Sequence, residues 1–364
     1  MTLINRDWSV ETQAFPLSDD PDSVRARLFA FDIAVSRVSP PVSSPSEFAF
    51  EVALCAALET TTDWLPARQL GASVASPGSR IIDVCAVVPG PAFNDRTRIT
   101  NRAIPATAIE SDVGTGRAVF WRDGFDCHPA RARRATDAAV DVGFFESEVR
   151  RGREYVRRAA RYPDDWFSRL VGIENKPDLG EPGDLLRQLR LDVSLGLFDE
   201  VVLATESYVT GAHLNRIPEE VGVWRFDPDT GEREVVREAE TLTPDDLGVE
   251  PVEYHSLHTN VALVSPADKR TARLRLAERA YGKGWRAYNL PGCAHAAVDE
   301  DGRPVCEHFG RVVDPGSECG GDCRAFETAD PPEFDRAELR ERRTGWVSDP
   351  SGVARRQAGL DRFR

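Results

Sequence analysis

Apolar positions recur at helical spacing from Ser44 onward, where Ser44, Pro45 and Glu47 form a capping box with proline at the first helical position. The pattern predicts a helix to about Glu59, with Phe48, Val52, Cys55 and Leu58 on one face and Glu51 inside that apolar stripe. Unpaired burial of a carboxylate is costly, so Glu51 needs a partner, an arginine at the stripe's edge being the simplest. The rhythm then shortens to that of strands. Ala67 to Ala75 and Arg80 to Val88 flank S-P-G-S and read as a hairpin. Asp83 is the only acid of the second strand, set between Ile82 and Val84, where Asp is disfavoured.

A later apolar run, Leu170 to Ile173, continues into Glu174, Asn175 and Lys176 and stops at Pro177, which cannot donate to a ladder. Alternation sets Glu174 and Lys176 on one side and Ile173 on the other. A helix follows from Asp184 to about Leu197, apolar at Leu185, Leu189 and Val193, with Gln188 and Asp192 on an adjacent line. Glu200 to Thr205 is a near-continuous β run, as expected of a strand buried on both faces. A short helix near His213 to Ile217 precedes a second hairpin, Val221 to Phe226 with Glu232 to Arg237. Residues 240 to 262 read as loop, with His255 and His258 on the surface. Pro266 to Arg286 reads as a basic amphipathic helix that packs through Leu274, Leu276 and Ala280, with contact to nucleic acid as the alternative.

Residues 91 to 163 interrupt this α/β pattern. They predict an arginine-rich helix from His128-Pro129 to Gly143 and then a hairpin turning at R-R-G-R, an order similar to the recognition helix and wing of winged-helix domains. The chain carries a net charge of −14. That balance argues against a surface that grips nucleic acid everywhere, yet residues 117 to 162 hold eleven Arg against seven acids. Local basicity therefore marks Arg131, Arg133, Arg134, Arg150, Arg151 and Arg153 as candidate phosphate contacts. Only three of the 46 basic residues are lysines, Lys176, Lys269 and Lys283. Lysine is a compact charge whose pKa shifts on burial, so its retention at position 176 singles that position out. No apolar run approaches eighteen residues and no signal-peptide core opens the chain, so the expectation is a soluble, cytoplasmic protein with no membrane partner.

Glu51 on a helix, Asp83 on a strand, Glu174-x-Lys176 on a following strand and Gln188 on the next helix together resemble the PD-(D/E)xK nuclease superfamily, which includes restriction enzymes, Holliday-junction resolvases and RecB-like nucleases. More closely, G-I-E-N-K-P-D-L-G, A-T-E-S-Y-V-T-G-A-H-L-N-R-I-P and G-V-W-R-F-D look like stretches of an uncharacterised haloarchaeal protein family, which brings no activity with it. The superfamily resemblance implies an α/β, restriction-endonuclease-like mixed sheet flanked by helices, split into 44–90 and 164–240 by the insert 91–163. Around this core lie an extension 1–43, a basic helical region 241–290, a four-cysteine segment 291–325 and a charged tail 326–364. It also implies Mg²⁺ (or Mn²⁺) held by Asp83 and Glu174, with the Asn175 carbonyl completing the shell. Glu51 would accept from a water at that metal, Lys176 would orient the water and stabilise the transition state, and Gln188 would face the site. Two features depart from the superfamily's pattern: 91 residues separate Asp83 from Glu174, and Asp192 stands where RecB-like members carry tyrosine.

Cys55, Cys85 and Cys127 are scattered and read as core residues. Cys293, Cys306, Cys319 and Cys323 instead crowd into one Gly- and Pro-rich segment, with His295 and His308 close by. Four thiolates with one short pair suit tetrahedral Zn²⁺, a [4Fe-4S] cluster being the alternative, and two disulfides are disfavoured in a cytosol. The whole predicts Mg²⁺-dependent hydrolysis of DNA, with DNA as partner and a homodimer as an option. Its rivals are a non-catalytic DNA-binding or regulatory protein on a degenerate nuclease scaffold, and a zinc-organised interaction protein.

Overall fold

The computed structural model describes residues 45–347 apart from positions 77, 96–104, 110, 115–116, 142, 160–164 and 181–182. The chain divides into Met1–Val42 and Ser43–Arg364, and the described residues belong to the second unit. The extension with its expected helix Asp22 to Ala34, the cap residue Ser44 and residues 348–364 fall outside the description.

The core is a six-stranded sheet built from β1 (Leu65–Gly71), β2 (Ile81–Pro89), β6 (Phe167–Asn175), β7 (Glu200–Thr205), β8 (Gly222–Phe226) and β9 (Arg233–Arg237), side by side in that order. β1, β2 and β6 are antiparallel neighbours, β7 and β8 continue in parallel, and β9 closes the sheet antiparallel to β8. Helix α1 (Pro45–Thr61) covers one face, where Phe50, Leu54 and Leu58 meet Val84, Ala86, Val171, Val202 and Phe226. Helices α4 (Leu185–Leu195) and α6 (Pro266–Lys283) cover the other through Leu185, Leu189, Leu276, Ala280 and Tyr281, and the short helix α5 (Gly211–Leu214) lies between them in the chain. In β7, Val201 and Leu203 serve one layer and Val202 and Ala204 the other, which is the strict alternation of a sheet covered on both faces. The mixed α/β sheet flanked by helices is therefore as the pattern predicts.

Between β2 and β6 the insert has its own small core of Ala108, Ile109, Val113, Ala139, Phe144, Phe145 and Val156. Its elements are α2 (Ala106–Ile109), β3 (Val119–Phe120), a 3-10 turn at Trp121–Gly124, α3 (Pro129–Asp141), β4 (Phe145–Arg150) and β5 (Arg153–Arg158), with strand order β3-β5-β4. Arg151 and Gly152, at φ +50° and +76°, make the tight turn of the β4–β5 hairpin.

Several expectations need correction. The stretch taken for loop holds a hairpin, β10 (Gly248–Tyr254) and β11 (Thr259–Val264). Pro251 lies within it, tolerated because both strands of a two-stranded ribbon are edges, and Val252, Tyr254, Val261 and Leu263 stay exposed, so no buried period betrays it. Cys127 is only half-buried, unlike Cys55 and Cys85. Helix α6, by contrast, packs through Leu274, Leu276 and Ala280 as expected, and its arginines also engage the protein, Arg273 on Asp199 at 2.7 Å and Arg279 on Asp112 at 3.3 Å. The described part of the charged tail is a strap whose helix α7 (Arg336–Arg343) buries Leu339.

Glu250 fastens the β10–β11 hairpin to the β1–β2 turn. It is fully buried, and its carboxylate accepts the backbone N–H groups of Val74, Ala75 and Ser76 at 2.8, 2.8 and 3.1 Å. Glu250→Ala strands three donors, so unfolding free energy should fall by about 3 kcal/mol or more, with hydrogen exchange at those three amides rising first. Unchanged exchange there would refute the fastening.

Candidate functional site

Helix α1 turns Glu47 and Glu51, one turn apart, toward the ends of β1, β2 and β6. Glu51 is buried and ion-paired with Arg68 of β1, while Gln69 Nε2 donates to its Oε2 at 3.1 Å. The same Gln69 amide reaches Asp83 Oδ1 at 3.3 Å, and the Asn175 backbone N–H donates to Asp83 Oδ2 at 2.9 Å. Asp83 of β2 is thus tied to the residue directly after Glu174 on β6. Lys176 Nζ donates to Glu47 at 2.8 Å and is half-buried.

Glu174 takes a different direction. Its carboxylate is ion-paired with Arg80, whose guanidinium also grips Asp192 of α4 at 2.6 and 2.9 Å. β6 ends at Asn175, so Lys176 has left the strand and its alternation; Glu174 engages the α4 side while Lys176 reaches α1, rather than the two lying side by side. Gln188 is half-buried on α4, and among the described residues no hydrogen bond ties it to this group; Asp192, one turn on, is the helix residue that reaches in.

The backbone bends where these side chains meet. β1 pairs Arg68 with Val84 and Leu70 with Ile82, and between them Gln69 adopts φ +52°, a left-handed conformation rare for a non-glycine. Ala67 and Leu70 consequently serve one core layer, and Ile82 and Val84 opposite layers, so alternation breaks in both strands at Gln69 and Asp83. Such strain clusters at functional sites.

Charge follows the same geometry. Arg68 balances Glu51, and one guanidinium, Arg80, is shared by two buried carboxylates. Among the described residues no cation is ion-paired with Asp83, and Lys283 Nζ donates to the Gln69 carbonyl at 2.8 Å. Burial, then the Asp83 charge, pushes the Glu174 carboxyl well above the usual range; burial also raises Glu51 and Asp192. Burial, then Glu51, pushes Asp83 up to about 7. Asn175 is buried with both side-chain polar atoms unpartnered, a condition that asks for a ligand or ion.

Arg68, Gln69, Arg80 and Asp192 were not singled out as site residues by sequence reasoning, though R-Q within the otherwise apolar L-P-A-R-Q-L was a signal. Among the described residues no three or more His, Cys, Asp or Glu side chains are grouped so as to hold a metal ion. The four thiols of the C-terminal segment are free and line one small cavity; burial, then Cys306 and Cys323, raises the Cys319 thiol above the ordinary range.

On the insert, Arg131 and Arg134 of α3 and Arg150, Arg151 and Arg153 around the β4–β5 turn are exposed. Arg133 is held by Asp137 and by Glu154 at 2.5 Å, and Arg150 by Glu148. Arg134, Arg151 and Arg153 have no carboxylate partner among the described residues, which leaves them the freest charges.

An acid that titrates near 4 in the unfolded chain and near 7 in the fold keeps its proton only in the fold between those values. Its contribution to stability is full at low pH and is lost as pH rises through that window. Asp83→Asn should therefore match wild type at about pH 4 and exceed it at about pH 8, by up to roughly 4 kcal/mol. Urea unfolding across that range measures it, and a difference that does not grow with pH would refute the assignment.

The chain belongs to a family of unknown function (DUF5787), which matches residues 65–328 and so takes in Asp83, Glu174, Lys176, Gln188 and the four clustered cysteines, but not Glu51. No curated protein and no solved structure matches it.

Proposed function

We propose that this family member hydrolyses DNA phosphodiester bonds with a divalent cation at Asp83 and Glu174, as a nuclease of the PD-(D/E)xK type. One observation carries the reading: residues far apart in sequence, Asp83 and Glu174-Asn175, lie on adjacent strands and are hydrogen-bonded, with Lys176 and Glu51 beside them. The order α1, β1, β2, insert, β6, α4, β7, with β6 parallel to β7, also suits the mixed sheet that the resemblance implies.

Mg²⁺ fits these residues by the chemistry of its donors. It prefers oxygen, needs only one or two carboxylates and keeps several waters, so a pair of acids suffices where the described residues hold no larger group. The unpartnered Asn175 side chain and the absence of a cation on Asp83 support the same fit. When bound, the metal supplies a Lewis acid that lowers the pKa of a water and neutralises charge on the phosphate. Gln69 holds Asp83 and Glu51 together, and Glu51, fixed by Arg68, would take a proton from the attacking water. Lys176, exchanging Glu47 for a phosphate oxygen, stabilises the charge that develops in the transition state.

The insert supplies DNA contact in this reading. Its order of α2, β3, turn, α3, β4 and β5, with sheet order β3-β5-β4, supports a winged-helix-like module in which α3 and the β4–β5 turn present Arg131, Arg134, Arg151 and Arg153 to phosphates. A second reading, a DNA-binding protein on a degenerate nuclease scaffold, draws on one observation: Arg80 already supplies Glu174 with the positive charge that a cation would bring.

Cleavage assays with Mg²⁺ and Mn²⁺ on duplex, single-stranded and branched DNA separate the two. Lys176→Ala and Asp83→Asn should each lose about 100-fold or more in cleavage while binding DNA as wild type does. Arg134→Ala, Arg151→Ala and Arg153→Ala combined should weaken binding and lower the salt slope by about 0.9 per lost phosphate contact. No cleavage of any form, or a Lys176→Ala protein that cuts at the wild-type rate, sinks the nuclease reading; an unchanged salt slope sinks the role of the insert.

A further inference from the structure

The segment after α6 carries chemistry that phosphodiester cleavage does not use. Its sheet is minimal, with β12 (Ala296–Val298), β13 (Pro304–Cys306) and β14 (Arg311–Val312) contributing two or three residues each. Strands this short do not make an independently stable sheet in water. Its wall instead closes around a cavity of about 40 Å³ lined by Cys293, Cys306, Cys319, Cys323 and His295.

The four cysteines reach that cavity from separate points of the chain. Cys293 precedes β12 and bridges to Thr328, where the chain returns. Cys306 ends β13, and its carbonyl accepts the Gly310 N–H at 2.8 Å in a tight turn with Gly310 at φ +62°. Cys319 and Cys323 flank a further turn, with the Cys323 N–H on the Gly320 carbonyl at 3.0 Å and the Phe326 N–H on the Cys323 carbonyl at 3.0 Å. All four are free thiols. The rest of the wall is mostly apolar, including Leu290, Phe309, Val313 and Phe326, and its carboxylate Glu318 is engaged by Arg311 and by the Asp314 N–H at 2.8 Å, so the thiols are the soft donors that face the cavity.

We propose that this cavity is a structural Zn²⁺ site with Cys293, Cys306, Cys319 and Cys323 as its four ligands, and that the ion fastens β12–β14 to the returning chain at Thr328. A closed four-thiolate shell suits a structural site with no open position. As placed, the thiols are not grouped as ligands, and Zn–S bonds of about 2.3 Å require the sulfurs to close to about 3.8 Å from one another. The turns have room for that movement, since a side chain added at Gly310, Gly320 or Gly321 would meet nothing within 4 Å. Each thiol surrenders its proton as its Zn–S bond forms, so binding releases protons and weakens in acid.

The full chain, purified in reducing buffer without chelator, should contain one zinc per chain by mass spectrometry of the metal. Cobalt substitution should give thiolate-to-metal charge-transfer bands with the visible spectrum of a tetrahedral ion. Cys319→Ser and Cys323→Ser should each lose the metal, Cys127→Ser should retain it, and Lys176→Ala, which tests the nuclease reading alone, should leave zinc content untouched. Should the serine variants fail to fold, titrating wild type with a mercurial thiol reagent should release zinc stoichiometrically to a colorimetric dye. Metal-free protein whose folded thiols react with a disulfide reagent equally with and without added Zn²⁺ overturns the proposal, as does a brown chain containing iron and sulfide.

Discussion

A single guanidinium joins the start of β2, the end of β6 and the face of α4. Arg80 is buried, it donates to Glu174 and Asp192, and both acids are buried with it. Removing one member of such a triad leaves uncompensated charge in the interior and costs about 3–5 kcal/mol, far more than a surface pair is worth. The contact also sets the electrostatics of its neighbours. Burial disfavours the Arg80 charge, yet the two carboxylates more than offset this and keep it protonated, so Glu174 has a fixed cationic partner, while Asp83 accepts only from neutral groups, Gln69 and the Asn175 N–H, among the described residues. One edge of the acid group is therefore neutralised by the fold and the other is left to whatever binds.

The bend at Gln69 and Asp83 is the backbone's counterpart of that asymmetry. A regular β1–β2 ladder would carry its alternation through both residues and bury one of their side chains in an apolar layer. The break frees Gln69 to bridge Glu51 and Asp83, at the cost of a left-handed φ in a residue with a side chain. Gln69 is thus the joint between helix α1 and strand β2, and the Lys283 ammonium on its carbonyl holds the bend from the α6 side.

What was legible in the sequence was whatever repeats with a period or violates one. The elements α1, β2, β6, α4 and β7 followed from apolar spacing, and Asp83 and Glu51 drew notice because an acid interrupts a strand and an apolar stripe. Periodicity says nothing about which strand lies beside which, so that Arg80, outside any pattern at the mouth of a hairpin, holds Glu174 and Asp192 could not be read. Gln69 was hidden for a related reason: its role depends on a backbone angle that its residue type does not announce. Lys176 was noticed for its rarity, but its direction was misjudged because alternation was extended one residue past the end of β6. The β10–β11 hairpin escaped because an exposed ribbon with proline lacks the buried alternation by which strands are found.

The position of the insert constrains how DNA could meet this site. The insert leaves from the far end of β2 and returns at the start of β6, where the Gly90 N–H donates to the Trp166 carbonyl at 3.0 Å and a side chain on Gly90 would run into the Asp165 carbonyl at 2.2 Å. Asp83 lies at the opposite end of β2 and Glu174 at the opposite end of β6. Pro89 is six positions along the strand from Asp83, about 20 Å at 3.3 Å per residue. The insert does not swing freely from that far end: Arg158 pairs with Glu278, and Arg275 and Arg279 with Asp112, which lays it against α6. Helix α6 in turn ends at Lys283, on the Gln69 carbonyl. Helix α6 thus touches both the insert, through Arg275, Glu278 and Arg279, and the bend beside the acids, through Lys283. Under the proposed function, a nucleic acid held by both would run along α6, and the separation that α6 sets would fix how far the reacting phosphate lies from the phosphates held by the insert.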